Sequence, residues 1–288
     1  MTTHYPDTLP EAHRRFIAHA LEVFRLDARI VGVTAAGSFL TGQMDEFSDV
    51  DLVVVTEPEQ QDAVMRERTA IAGRLGHLLA GFSGEHVGEP RVFICLYDAP
   101  LLHVDLKFVS LSDVHLRVEE PAVLWERDGR VTAALAQGEG RYPQPDLAWI
   151  EARFWIWMHY GAGKIGRGEL FEALDLISFV RSTVLGPLAL QRAGARPQGV
   201  RKIELHDSGF AAALEATVAR YDALDCLRAL EACIGLYREL RGGTPRVDAK
   251  ADAEAAATAY VARIGQRLLS AAAQAARVGP HDPAPGRR

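Results

Sequence analysis

The sequence predicts an α+β domain followed by an all-helical domain, and three observations carry that expectation. Short apolar runs with alternating faces recur in the first half, interleaved with helical stretches. From about Pro145 onward the apolar periodicity is helical only. Between them, Gly138–Pro145 brings Gly140, Pro143 and Pro145 together and breaks both patterns. The expected division is residues 1–142, residues 143–278 and a Pro- and Gly-rich tail, 279–288, expected to be disordered.

Taken in order, Phe16, Ile17, Ala20, Leu21 and Phe24 predict a helix over Glu11–Leu26, with Asp7-Thr8-Leu9-Pro10 offering its cap and start. Ala28–Thr34 is a short strand, Gly37-Ser38 a turn, and Val50–Val55 a second strand. Gln60–Ala80 reads as a helix and Gly81–Pro90 as a Gly-rich loop. Arg91–Tyr97 and Leu101–Ser110 read as strands, joined tightly enough through Asp98-Ala99-Pro100 for a hairpin. A further hairpin is expected, with Val123-Leu124-Trp125 before the turn Asp128-Gly129 and Arg130-Val131-Thr132 after it. Helices are expected over Asp146–Ile165, Glu169–Gly194, Gly209–Tyr221, Asp222–Arg241 and Asp248–Arg277.

The chain has 288 residues, 48% hydrophobic and 24% charged, an ordinary globular composition. Its formal net charge of −6 argues against a general nucleic-acid binder but leaves room for a local phosphate site. The N-terminus has no apolar signal core, and no uninterrupted apolar run approaches about 18 residues, so a cytoplasmic protein without membrane spans is expected. Three cysteines make no disulfide framework; Cys95, Cys226 and Cys233 read as buried thiols. The ten histidines show no metal-ligand spacing.

The informative feature is Gly37-Ser38, followed ten residues later by Asp49-Val50-Asp51 running into Leu-Val-Val-Val. Side chains alternate along a strand, so the two carboxylates share a face and repel unless a cation separates them. Asp105 sits on another predicted strand, with His103 and Lys107 on its face. Three strand carboxylates meeting at one place suit divalent metal carrying a polyphosphate. Two Mg²⁺ ions roughly 3.5–4 Å apart stabilise both the entering and the leaving oxygen of an in-line displacement. Gly37 lets backbone N–H groups approach a phosphate, and Ser38 adds a hydroxyl; a helix starting there would add a favourable field.

These residues resemble the nucleotidyltransferase superfamily, with its DNA-polymerase-β-like fold: Gly37-Ser38, the stretch Ser48–Val55, and Asp105 in His-Val-Asp-Leu-Lys. The resemblance covers roughly residues 28–110. The order of an α+β domain and a helical domain is similar to that of the bacterial aminoglycoside and lincosamide nucleotidyltransferases. It implies a small mixed sheet with flanking helices, and transfer of a nucleoside monophosphate, most often AMP from ATP, to a hydroxyl with release of pyrophosphate. It implies that Asp49 and Asp51 hold both metals and that Asp105 holds the catalytic one and takes the acceptor proton. Some relatives use a Glu as base, and no equivalent is identifiable in the sequence.

Other residues carry two readings each. Lys107 reaches a substrate phosphate, or is solvated or paired with Asp105. Lys164, near a helix C-terminus, contacts a triphosphate or stabilises the helix end. Glu169, Glu172 and Asp175 hold a polycationic acceptor or form a solvated face. Trp149, Trp155 and Trp157 stack a base or pack between helices. The expected partners are an NTP and a small hydroxylated acceptor, aminoglycoside-like in one version. The alternatives are nucleotidylation of a protein or tRNA, as in toxin-like members, and an inactive nucleotide-binding regulatory protein.

Overall fold

The computed structural model describes residues 5–242 and 249–278. The chain divides into two compact units, residues 1–142 and 143–288. The expected disordered tail and Asp248 lie outside the described residues.

The first unit runs α1 (Glu11–Leu26), β1 (Ile30–Ala35), α2 (Ser38–Thr41), β2 (Val50–Thr56), α3 (Gln61–Gly73), β3 (His77–Gly84), β4 (Glu89–Asp98), β5 (Leu102–Ser110), β6 (Ala122–Glu126) and α4 (Arg130–Leu135). The strands form one sheet in the order β3-β4-β5-β2-β1-β6. β2 and β5 pair in parallel, and the other neighbours are antiparallel, so the sheet is mixed as expected. One face buries Leu52, Val54, Phe93, Val104, Leu106 and Phe108 with Ile17, Leu21 and Phe24 of α1 and Val64 and Ile71 of α3. On a second, smaller core, Val31, Val55 and Val109 pack with Val114 and with Val131 and Leu135 of α4.

Three expectations are corrected. The helix expected to Ala80 stops at Gly73, and the expected loop is taken up by the second half of β3, a 3-10 turn at Glu85–Val87 and the start of β4. The helix formers Leu78, Leu79 and Ala80 yield to pairing with β4, in which Ala80 lies opposite Leu96 and Phe82 opposite Ile94. The expected second arm of the 123–132 hairpin is α4 instead. Asp128 and Gly129 both take positive φ, and the chain then turns into a helix that buries Val131, Ala134 and Leu135. Finally, Asp7 and Thr8 do not cap α1: Pro10 occupies the N-cap without a side-chain bond, and the Thr8 hydroxyl donates to the Gly42 carbonyl at 2.9 Å.

The second unit is helical: α5 (Leu147–Gly166), α6 (Leu170–Val180), α7 (Gly186–Arg192), α8 (Ile203–His206), α9 (Ser208–Leu214), α10 (Ala223–Gly242) and α11 (Ala251–Val278). Asp146 caps α5 by accepting from the Trp149 amide at 3.0 Å. A π-helical stretch, Arg181–Leu185, joins α6 to α7. Pro187 has no N–H to give back to the preceding turn, and the ladder widens there. Leu170–Arg192 is long and apolar enough to cross a membrane by composition; 56% of its apolar window is buried inside the unit. Trp155 is buried in the helical core, whereas Trp149 is 40% exposed and meets Trp157 in a tilted contact. All three cysteines are buried and unpaired, and burial pushes the Cys95 and Cys233 thiols up to about 12.

Glu151 is buried in the centre of this unit. It accepts hydrogen bonds from Trp155 Nε1 at 3.0 Å, Tyr237 Oη at 2.5 Å, Arg241 Nη1 at 3.0 Å and the Lys250 amide at 2.9 Å. That set ties α5 to α10 and to the residue before α11.

Candidate active site

β2 and β5 lie side by side in parallel, with Asp51 directly opposite Asp105. Both side chains therefore leave the sheet on one face. Asp49 lies one residue before β2, outside the ladder. The three half-buried carboxylates each offer an oxygen within 4.8 Å of the others. At that spacing three negative charges call for a cation, and an all-oxygen donor set suits a hard divalent ion such as Mg²⁺. These residues fit the metal that the chemistry requires.

The approach to Asp49 is pinned from two directions. Asp45 and Ser48 close a local box, with the Ser48 hydroxyl donating to Asp45 Oδ1 at 2.9 Å and accepting from the Asp45 amide at 3.0 Å. His13, on the buried face of α1, bonds the Ser48 carbonyl through Nε2 at 2.7 Å. The acceptor is a carbonyl, so Nε2 carries the proton. A His placed four residues before Ile17 on an apolar helix face was the available sequence clue, and the histidine spacing did not reveal it. His13→Ala is expected to lower nucleotidyl transfer about tenfold or more through a loosened Asp49, while far-UV circular dichroism keeps its wild-type shape. Unchanged turnover would remove His13 from the positioning of Asp49.

Gly37 closes the other side. Its φ of +61° belongs to the left-handed region, and a Cβ there would lie 2.1 Å from Asp51 Oδ2. Glycine is thus required both by the turn and by the carboxylate packed on it. The Ala36 amide donates to the Asp51 carbonyl at 3.1 Å, which fixes the turn to β2. The Ser38 hydroxyl oxygen is buried and has no hydrogen-bond partner in the protein. The helix that follows is a single turn, Ser38–Thr41, too short to add the field that a longer helix would bring.

Sequence reasoning missed Glu119. It lies between β5 and β6, and its Oε1 accepts from the Gly37 amide at 3.2 Å. Nothing in Arg117-Val118-Glu119-Glu120-Pro121 marks it in advance, because the contact joins residues 82 positions apart.

The two candidate lysines have carboxylate partners. Lys107 shares the Asp105 face and pairs with Glu89 at 2.9 Å. Lys164 belongs to the helical unit, where it pairs with Glu169 at 2.6 Å and Glu172 at 2.8 Å. These bonds raise the Lys164 pKa, and they engage two members of the acidic group expected to hold a polycation. Asp105 instead bonds His103, Nε2 to Oδ1 at 3.0 Å.

Glu89 also takes Arg91 at 2.7 Å. The Arg91 bond, then Lys107, holds its carboxyl at about 2, below its ordinary 4.5. A depressed carboxylate stabilises the fold above pH 4.5, and that stabilisation is lost as pH falls from there toward about 2. The urea midpoints of wild type and Glu89→Gln should therefore differ most at pH 7, draw closer as pH falls below 4.5, and meet only near pH 2. A gap that stays constant with pH would show that Glu89 contributes no such stabilisation.

A Gly turn is thus packed on one of three carboxylates whose oxygens lie close enough to share a metal ion. Residues 18–88, which hold Gly37, Ser38, Asp49 and Asp51, match the family model of the nucleotidyltransferase domain. The first unit accordingly carries a nucleotidyltransferase domain. A search of curated proteins gives no match. Among solved structures, the chain is similar to an aminoglycoside 6-adenyltransferase from Bacillus subtilis, at 16% identity and a TM-score of 0.39, over 86% of this chain and 96% of that one. It is also similar to a nucleotidyltransferase-like protein from Exiguobacterium sibiricum 255-15, at 16% identity and a TM-score of 0.36, over 79% and 73% of the two chains.

Proposed function

We propose that this protein transfers a nucleoside monophosphate, AMP from ATP, to a hydroxyl of a small molecule in the cytoplasm. The observation that carries this reading is the triad Asp49, Asp51 and Asp105, with oxygens within 4.8 Å of one another, the first two of them inside the residues 18–88 that match a nucleotidyltransferase domain. Asp49 and Asp51 would hold two Mg²⁺ ions and Asp105 one of them; bound there, the ions would offset the charge of the triphosphate and of the leaving group. Gly37 and Ser38 contact the phosphates, the latter through its unpartnered hydroxyl. The acceptor oxygen forms a bond to the α-phosphorus, the bond from that phosphorus to the β-phosphate oxygen breaks, and pyrophosphate leaves. The acceptor proton goes to Asp105. Lys107 is a secondary phosphate contact in this reading, reached by exchange of its present carboxylate partner.

The net charge of −6 favours a small acceptor over tRNA. Aminoglycosides are the first acceptors to test, because the sequence resembles the aminoglycoside and lincosamide nucleotidyltransferases. The experiment incubates the protein with Mg²⁺ and each α-³²P-labelled NTP, with aminoglycosides, lincosamides or cell extract. Pyrophosphate release and label on a small molecule are expected. Label on protein or RNA would replace the acceptor class, and no nucleotide binding at all would overturn the reading.

A further inference from the structure

Gly37 carries two carboxylates at once. Asp51 Oδ2 occupies the space against its Cα, and Glu119 Oε1 accepts from its amide at 3.2 Å. Glu119 is presented by a braced segment. The neighbouring Arg117 donates to the carbonyls of Leu135 and Gly138, each at 2.9 Å, and to Glu120 at 2.6 Å. Glu120 accepts in turn from the Gly140 amide at 2.6 Å. The turn that would take a phosphate therefore already has an anion on its N–H, held in place by its surroundings. A second anion entering there meets Glu119 and Asp51 at a few ångströms, where like charges repel strongly. A phosphate accompanied by divalent cations does not meet that opposition, because the cations offset both carboxylates.

We propose that Glu119 is a specificity-determining residue of the donor site, which admits a nucleoside triphosphate as its divalent-metal complex and rejects metal-free phosphate anions. The inference rests on the nucleotidyl-transfer reading and deepens it. The buried, unpartnered Ser38 hydroxyl beside the turn is an independent mark of a ligand there. A cavity of about 110 Å³ borders Glu119 on the same face of the sheet, between Thr34, Val53, Lys107 and Val118, and offers its side chain room when a phosphate takes its place.

The test measures ATP binding by isothermal titration calorimetry, once with Mg²⁺ and once with EDTA, for wild type, Glu119→Gln and Glu119→Ala. Far-UV circular dichroism checks that each is folded. Glu119→Gln keeps an oxygen for the Gly37 amide and removes only the charge. Wild type should bind ATP far more tightly with Mg²⁺ than with EDTA. In Glu119→Gln the ratio of the two affinities should shrink about tenfold, the size expected for one charge removed at this range. An unchanged ratio in Glu119→Gln makes Glu119 a cap of the turn and overturns the inference. A ratio that changes in Glu119→Ala alone makes it a steric plug and overturns it equally. If wild type binds ATP in neither condition, the nucleotidyl-transfer reading itself falls, and the inference with it.

Discussion

Asp49→Asn combined with Asp51→Asn is expected to abolish nucleotidyl transfer, by on the order of 10³-fold or more, while the protein stays folded. The two side chains sit at the start of β2 with oxygens within 4.8 Å of Asp105, and the half-buried cluster makes no part of either core. Replacing two carboxylates by amides keeps size and shape. It removes two negative charges, the property that draws a divalent ion to an oxygen site. Relief of repulsion among three like groups favours the compact state. The measurement is pyrophosphate release under saturating ATP, with circular dichroism and thermal melts run in parallel. Transfer that survives in a folded double variant would mean that the reaction does not pass through this triad.

Glu151→Ala is expected to destabilise the helical unit by about 3–5 kcal/mol, the cost of removing one partner from a buried ion pair. Four donors converge on this carboxylate, and Arg241 among them is a cation. Burial alone would push the carboxyl up. The bonds from Tyr237, the Lys250 amide and Trp155, with the Arg241 charge, outweigh burial and hold it below the ordinary carboxylate range. Alanine would leave the Tyr237 hydroxyl and the Trp155 indole N–H without an acceptor in the interior, and would leave Arg241 with Glu254 as its carboxylate partner. Urea denaturation followed by tryptophan fluorescence reads the loss, because Trp155 packs 6.0 Å from Tyr237 in the same cluster. A loss under 1 kcal/mol would mean that water or a neighbouring carboxylate replaces Glu151.

The carboxylate faces and the Gly turn beside them were legible in the sequence because their logic is local. Alternation along a strand puts Asp51 and Asp105 on definite faces, and a glycine before a hydroxyl marks a turn open to phosphate. That Asp51 meets Asp105 depends on which strands neighbour each other, and the family resemblance supplied that expectation. β3 was illegible for a physical reason. It is an edge strand with little burial, so no apolar alternation marks it, and Leu78-Leu79-Ala80 favours a helix when read alone. The Arg130–Leu135 helix was hidden by β-branched Val131 and Thr132, although Val131, Ala134 and Leu135 keep helical spacing. Glu119 on Gly37, Glu89 between Arg91 and Lys107, and His13 beneath Ser48 are tertiary contacts that no local pattern announces.

The parallel pairing of β2 with β5 also bears on how the protein reaches its native state. A parallel neighbour cannot be joined by a tight turn. Between these two strands the chain must first lay down α3, β3 and β4. Asp51 and Asp105 thus meet through a long-range closure, which costs chain entropy and is opposed by the charge of the three carboxylates. Divalent cations present during refolding would favour that closure, because they bind only the chain in which it is complete.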